Sequence, residues 1–165
     1  MDILTHAALW FSIVSVAIMA GVYFTFSAFV MRSLDAIEAP AGMKAMQSIN
    51  RIIVKSAFLP IFFASTLVCA ALVVCASLDM AAPGALWTMA GAALYVVGMF
   101  GVTLVGNVPL NNTLEATAIA TGADGPEAKA VWAMYMRQWT CWNHIRTLSC
   151  TASLVFLVLA LAQQT

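Results

Sequence analysis

The chain has 165 residues, of which 63% are hydrophobic and 8% are charged, and its seven basic and seven acidic residues give a formal net charge of zero. Soluble domains carry about 25% charged residues, so this composition excludes a fold whose whole surface faces water and indicates an integral membrane protein. The zero net charge also argues against a polyanionic partner, and we expect no binding to nucleic acid.

Four apolar runs are long enough to cross a bilayer, which takes about 20 residues in a helix. We predict spans at about 3–31, 52–78, 85–106 and 141–161. The fourth run is short unless its helix already enters the membrane near Trp139 or Trp142. The predicted fold is therefore all-α: a single membrane domain over residues 1–165, built as a four-helix bundle, with a cytoplasmic helical extension of the last helix.

Prolines predict interruptions in two of these helices. Pro60 lies inside the second apolar run and should kink that helix. Pro109 should stop the third helix near Asn107, because the residue before a proline avoids the helical region. Asn111 or Asn112 would then cap a short separate helix.

The last helix carries the clearest pattern in the chain. Asp124 as N-cap and Pro126 in the first turn predict its start, and from there one helix can run to the C-terminus. Steps of three and four residues place these side chains on one stripe: Trp132, Tyr135, Trp139, Trp142, Arg146 and Ser149. A lipid-facing aromatic belt explains the rings but not Asn143 and Arg146, since polar groups at membrane depth usually face the bundle.

The basic residues indicate the orientation of the spans. The second connection offers only Asp79, whereas the first and third connections and their flanks hold all the basic residues: Arg32, Lys44, Arg51, Lys55, Lys129, Arg137 and Arg146. The positive-inside rule makes that side cytoplasmic, so an even number of spans puts both termini on the non-cytoplasmic side of a cell (inner or plasma) membrane. Most polar residues of the spans gather at the same side, which predicts a pocket opening toward the cytoplasm.

Candidate site residues lie at this cytoplasmic end. Asn143, His144 and Arg146 are the candidates for catalysis, since a histidine titrates near neutral pH and a buried cation stabilises an anion. The expected substrate-binding residues are Trp139, Trp142, Asn107, Asn111, Phe24, Asn50 and Arg51. Structural alternatives stay open: Arg51 can simply reach the headgroups, the asparagines can satisfy loop backbone, and His144 can be a hydrogen-bonded structural histidine.

Cofactor sites have little support in the sequence. His6 is expected at the opposite membrane end from His144, and no carboxylate cluster lies within a span, so no metal centre is predicted. A haem held by His144 alone, or a bound quinone, stays open. The four cysteines form no CxxC pair and are expected to be free thiols.

Two strings of residues resemble a known family. They are Asn-Val-Pro-Leu-Asn-Asn at 107–112 and Trp-Thr-Cys-Trp-Asn-His-Ile-Arg at 139–146, in a chain with four spans of suitable length. Together they resemble the anthrone-oxygenase-like integral membrane family, long catalogued as a domain of unknown function. The matched positions are Asn107, Asn111, Trp139, Trp142, Asn143 and Arg146.

The resemblance implies an oxygenase-like function. Some fungal members of the family oxidise anthrones to anthraquinones with molecular oxygen and no evident cofactor. Carried over here, it implies a membrane-embedded oxidoreductase acting on an anthrone- or quinone-like molecule. His144 would remove a proton, Arg146 and the asparagines would stabilise the enolate, and Trp139 and Trp142 would stack on the rings.

Two other functions fit the same residues. The pocket can belong to a non-catalytic protein that binds a lipid, a quinone or haem. The chain can also be an interaction subunit, whose aromatic stripe would then be exposed in the isolated chain. Membrane lipid and a hydrophobic small molecule are the expected partners, and a homo-oligomer stays open.

Overall fold

The computed structural model describes residues 3–121 and 125–164, with the backbone alone at 118–121. Within these ranges the chain forms helices and turns and no strand. Helix α1 runs through Ile3–Thr25, a π-helical turn at Phe26–Val30 and Met31–Asp35; α2 is Ala39–Ile53; α3 is Phe58–Leu78. Helix α4 runs through Ala85–Tyr95, two π segments at Val96–Gly101 and Thr103–Asn107, and Val108–Thr121; α5 is Pro126–Ala162.

Four of these helices, α1, α3, α4 and α5, are long and apolar enough to cross a membrane. They pack as a square in which α1 and α4 each contact both α3 and α5. The centre of the square is filled by apolar side chains such as Met19, Cys69 and Leu157, all fully buried, while Leu67 and Leu148 point outward with about seven-tenths of their surface exposed. The predicted all-α, four-span architecture is confirmed.

Helix α2 is amphipathic and closes one end of the square. It contacts the last turns of α1, the last segment of α4 and the first turns of α5. Its apolar face buries Met43 and Met46, while Lys44 on the other face is exposed. The Gln47 side chain donates a hydrogen bond to the carbonyl of Leu114 over 2.9 Å. We call this the polar end of the bundle, because the amide and basic residues of the spans lie here.

The prediction of a kink at Pro60 is wrong. The chain breaks earlier, at residues 54–57, and α3 begins at Phe58 rather than at residue 52. Pro60 therefore lies in the first turn of α3, where its missing N–H has no partner within the helix in any case. The hydroxyl of Ser56 accepts a hydrogen bond from the N–H of Phe58, the first residue of α3, over 3.2 Å.

The prediction that Pro109 ends the third span is also wrong. Helix α4 continues through Pro109, so Asn111 and Asn112 lie within the helix and cap nothing. The π segment directly before the proline provides the reason: the N–H of Val108 bonds to the carbonyl of Thr103, five residues back. This wider turn accommodates the ring, which in a regular α-helix clashes with the carbonyl four residues earlier.

The single long last helix is confirmed, from Pro126 to Ala162. Gly125 occupies the N-cap position in an extended conformation, and Asp124, predicted to be the cap, lies outside the described residues. The predicted stripe faces the bundle: its members are buried, except Trp142, which is half-buried. The exposed stripe expected of an interaction subunit is therefore not observed.

Candidate functional site

A partly open cavity of about 210 Å³ lies at the polar end, bounded by all five helices. Most of its wall is apolar, with aromatic rings from Phe26, Phe58 and Phe62. The lining residues that carry polar groups are Tyr23, Asn50, Thr103, Asn107, Asn111, Trp139 and Arg146. An apolar pocket with a few converging polar groups is the usual form of a small-molecule site.

Arg146 supplies the positive charge of the cavity. It is 5% exposed, and its guanidinium lies over the ring of Tyr23, 4.3 Å from the centroid, and 5.1 Å from that of Trp139. One Nη donates to Oδ1 of the Asn143 side chain over 2.7 Å, and the other donates to the Thr103 hydroxyl over 3.4 Å. All of these partners are neutral.

No carboxylate compensates this charge among the side chains that the structure describes. The single ion pair in that part of the chain joins Arg51 to Glu115, with 2.8 Å between Nη2 and Oε1. A buried guanidinium without a counter-charge is costly, and an anion bound beside it removes part of that cost. The cavity is therefore suited to an anionic or strongly polarised oxygen.

Asn143 holds Arg146 in place. Its amide nitrogen donates to the carbonyl of Tyr23 over 2.8 Å and to the hydroxyl of Ser27 over 2.7 Å, which ties α5 to the π turn of α1. Its side-chain Oδ1 accepts a hydrogen bond from Arg146. Since all the polar atoms of this side chain are engaged within the protein, Asn143 positions Arg146 and does not line the cavity.

A group of aromatic rings and amides supports Trp139, the aromatic residue of α5 that lines the cavity. Tyr135 stacks on Trp132 at 5.8 Å and on Trp139 at 6.1 Å between ring centroids. The Tyr135 hydroxyl and the Trp139 indole N–H both donate to the amide oxygen of Asn111 over 2.9 Å. The amide nitrogen of Asn107 donates to the carbonyl of Trp139 over 3.2 Å. These bonds fix the ring of Trp139 as a rigid flat surface on the cavity.

Two polar atoms of cavity residues are buried without a hydrogen-bond partner. They are Nε of Arg146, a donor, and Oδ1 of Asn107, an acceptor. Buried polar groups are nearly always paired in folded proteins. A ligand that offers both an acceptor and a donor would complement this pair of residues.

The structure brings together six of the ten predicted site residues: Asn50, Asn107, Asn111, Trp139 and Arg146 on the cavity wall, and Asn143 directly behind it. Phe24 points away from the bundle and is 62% exposed. Arg51 is exposed and paired with Glu115. Trp142 packs on Gly106, where an added Cβ would lie 2.6 Å from the indole ring, so its ring stabilises the contact of α4 with α5.

His144 lies away from the cavity. It is exposed, and its Nδ1 is 3.0 Å from the Ser27 hydroxyl. It borders a separate surface groove between α1 and α5 with Arg32 and Arg137. Direct contact between His144 and a ligand beside Arg146 is therefore absent from this arrangement. Neither of the two histidines lines the cavity.

Two of the seven polar residues on the cavity wall are absent from the predicted site residues. Tyr23 faces Arg146 from α1, and Thr103 reaches it from α4. A signal for Thr103 exists: it precedes Asn107 and Asn111 by steps of four, which places all three on one helical face. The predicted helix end at Pro109 separated Asn111 from Thr103 and Asn107, so the three residues were not predicted to share a face.

Metal-binding clusters of three or more His, Cys, Asp or Glu residues are not found over the described ranges. The cysteines described, Cys69, Cys75, Cys141 and Cys150, are all free thiols.

Comparison with known proteins identifies the family. The model of the family described as anthrone oxygenase matches residues 54–156. This range covers α3, α4 and most of α5, and it includes Asn107, Asn111, Trp139 and Arg146. No curated protein and no solved structure matches the chain significantly. The family match confirms the resemblance drawn from the two residue strings, and it suggests an oxygenase-type function. The chain is a four-span member of the anthrone oxygenase family.

Proposed function

We propose that the protein oxidises a planar, polycyclic aromatic molecule of the anthrone type with molecular oxygen, inside the cavity at the polar end. Arg146 would hold the oxygen of the substrate, and the ring of Trp139 would support its aromatic face. The observation that carries this proposal is the buried charge of Arg146, which lines an apolar cavity without a carboxylate partner in the described part of the chain.

The charge of Arg146 suits the activation of such a substrate. An anthrone has acidic methylene hydrogens, because loss of one gives an aromatic enolate. A preorganised cation in a site with little water stabilises the developing oxyanion more strongly than water does. Asn143 and the rings of Tyr23 and Trp139 hold the guanidinium in a fixed position, so little reorganisation is needed when the negative charge forms.

The dimensions and the lining of the cavity also support an aromatic ligand. An apolar cavity of about 150 Å³ in another protein binds benzene, and this cavity of about 210 Å³ is larger and partly open. It therefore holds one ring with room for part of a second, and a three-ring molecule would extend through its mouth. Stacking of aromatic rings contributes about 0.5–1.5 kcal/mol beyond the burial of area.

The reaction balances without a further reductant. The enolate carbon transfers electrons to O₂ and forms a C–O bond, giving a peroxide that takes up the proton released on ionisation. Loss of the second methylene hydrogen with cleavage of the O–O bond leaves a carbonyl and one molecule of water. Anthrone and O₂ thus give anthraquinone and water. No resident cofactor enters this proposal.

His144 has no direct role in this proposal, because it lies outside the cavity beside Ser27. The first proton would pass instead to a water molecule bound in the cavity beside its polar inner wall, and would return from that water to the peroxide. A non-catalytic quinone- or lipid-binding protein would use the same apolar wall, and haem bound through His144 would require the separate groove.

We also propose that the polar end faces the cytoplasm of a cell (inner or plasma) membrane. Arg32 ends α1, Lys44 and Arg51 lie on α2, and Lys129 and Arg137 lie on the first turns of α5, all at this end of the spans. The positive-inside rule then puts both termini on the other side. Single cysteines introduced near each terminus of a variant whose four native cysteines are replaced by alanine would be labelled with a membrane-impermeant maleimide; protection in intact cells would refute this orientation.

Oxygen consumption tests the proposed function. Purified protein in lipid nanodiscs would be supplied with anthrone, with oxygen uptake and anthraquinone measured together. We expect wild type to consume one O₂ per anthraquinone formed and Arg146→Met to lose the activity. Arg51→Met, which removes an exposed arginine outside the cavity, is the matched control and should keep it. A bound aromatic molecule with no oxygen uptake would support the non-catalytic binder.

A further inference from the structure

The mouth of the cavity differs from its interior in polarity. Four lining residues are substantially exposed: Val54, Phe63, Leu104 and Val108, each between 38% and 51%. All four are apolar, while the charged group, Arg146, is buried at the inner wall. The cavity therefore presents an apolar opening and a polar inner surface.

The mouth lies between α3 and α4, and both of its edges are irregular in backbone. Val54 begins the break that separates α2 from α3. Leu104 lies in the π segment Thr103–Asn107 of α4. A π turn is wider than an α turn and is frequently found at functional sites. Phe63 and Leu104 lie within helices apolar enough to span the membrane, so this opening faces lipid.

Helix α2 covers the side of the cavity that lies toward the polar end of the bundle. It contributes Met46, Ile49, Asn50 and Ile53 to the cavity wall. All four of these side chains are buried or half-buried. A route from water past α2 would require that helix to move, whereas the route between α3 and α4 is already open.

We propose that ligands exchange with the cavity sideways from the bilayer, between α3 and α4, and that Phe63 and Leu104 control the passage. This inference rests on the proposed function only in placing the ligand in this cavity. A planar hydrophobic molecule dissolves in the lipid and crosses the apolar mouth without desolvation of protein polar groups. The ligand would enter with its oxygen first, because the polar groups of Arg146 and Asn107 lie at the inner wall.

Quenching of Trp139 by 9,10-anthraquinone provides the test. This planar three-ring diketone quenches tryptophan fluorescence on contact, and the part of the quenching lost in Trp139→Phe reports arrival at the inner wall. Full-length protein in lipid vesicles would be mixed with vesicles carrying the probe, and the time course of quenching followed.

Matched variants separate the mouth from the rest of the lipid-facing surface. Leu104→Phe narrows the mouth, and Val97→Phe makes the same kind of enlargement on α4 at a position that is 69% exposed and outside the cavity. Phe63→Ala widens the mouth, and Leu67→Ala is its control on α3, also 69% exposed and outside the cavity. Thermal unfolding of each variant checks that the fold is kept.

We expect Leu104→Phe to lower the association and dissociation rate constants about tenfold, equivalent to a barrier about 1.4 kcal/mol higher, with the equilibrium quenching unchanged. Phe63→Ala should raise both rates, and the two controls should match wild type. Equal rates in Leu104→Phe, Phe63→Ala and wild type would overturn the lateral route. Absence of Trp139 quenching in wild type would instead refute the placement of aromatic ligands in this cavity, and with it the proposed function.

Discussion

Replacement of Arg146 by methionine tests whether this arginine serves the binding of a ligand or the stability of the fold. In the structure its guanidinium donates to Asn143 over 2.7 Å and lies over the rings of Tyr23 and Trp139. A hydrogen bond to a charged group contributes about 1.5–3 kcal/mol, and each ring contact contributes about 0.5–1 kcal/mol or somewhat more when desolvated. Methionine loses these contacts while filling much of the apolar stem's volume.

The loss of these contacts is offset because methionine, unlike arginine, carries no charge whose desolvation costs free energy on folding. Burial of an ion costs several kcal/mol, and Arg146 recovers none of this from a carboxylate in the described part of the chain. The replacement also leaves the amide oxygen of Asn143 without its donor, which costs about 1–3 kcal/mol. Because the opposing contributions nearly cancel, we expect the free energy of unfolding to change by no more than about 2 kcal/mol.

The assay combines unfolding and binding on the same protein. Equilibrium unfolding in mixed micelles gives the change in stability, and anthraquinone quenching of Trp139 gives binding. Arg146→Met should keep the fold and lose affinity for anionic hydroxylated anthraquinones, while Arg51→Met, at an exposed ion pair, should change neither by much. A destabilisation of about 3–5 kcal/mol, the cost of breaking a compensated buried pair, with binding retained, would refute the reasoning.

Three further substitutions have defined outcomes. Asn143→Ala removes three hydrogen bonds, so the free energy of unfolding, measured in micelles, should fall by about 3 kcal/mol. A decrease smaller than that of the exposed Asn112→Ala control would contradict the role of Asn143. Gly106→Ala places a methyl group against Trp142 and should cost about 1–3 kcal/mol, measured as a lower unfolding midpoint; an unchanged midpoint would show that α4 can shift. His144→Ala should leave oxygen uptake with anthrone within about twofold of wild type, a barrier change of about 0.4 kcal/mol, and a loss of the whole activity would restore His144 as the base.

The inward orientation of the stripe on α5 was predictable, because its residues recur clearly at helical spacing. Trp132, Tyr135, Trp139 and Arg146 recur at helical spacing, and the cost of a charge in lipid turns that face inward. Which groups meet Arg146 was not predictable. Tyr23 lies on a different helix, more than a hundred positions away in the sequence, and only the packing of α1 against α5 brings the two together.

Pro109 illustrates a local rule overridden by helix geometry. The sequence rule treats a proline as the end of a helix, yet the preceding π segment accommodates it. The consequence reaches the site: in one continuous helix Thr103, Asn107 and Asn111 share a face, and all three line the cavity. A π turn depends on packing across the bundle, which a single sequence does not display.

The position of His144 outside the cavity has a simple geometric cause. His144 follows Asn143 directly in the sequence, but adjacent residues on a helix point about 100° apart. Arg146, three positions after Asn143, shares its face and bonds to it. Proximity in the family motif therefore does not imply proximity in the site.

The ionisation of a coloured ligand tests most directly the claim that Arg146 makes the cavity a site for aromatic anions. A hydroxylated anthraquinone changes its visible absorption when its phenol loses a proton, so a pH titration of the bound ligand gives its pKa. A nearby cation in a dry site favours the charged form. We predict that binding to wild type lowers the pKa of the ligand and that Arg146→Met abolishes the shift. A pKa that rises on binding to wild type, as in an uncharged apolar cavity, would contradict the account.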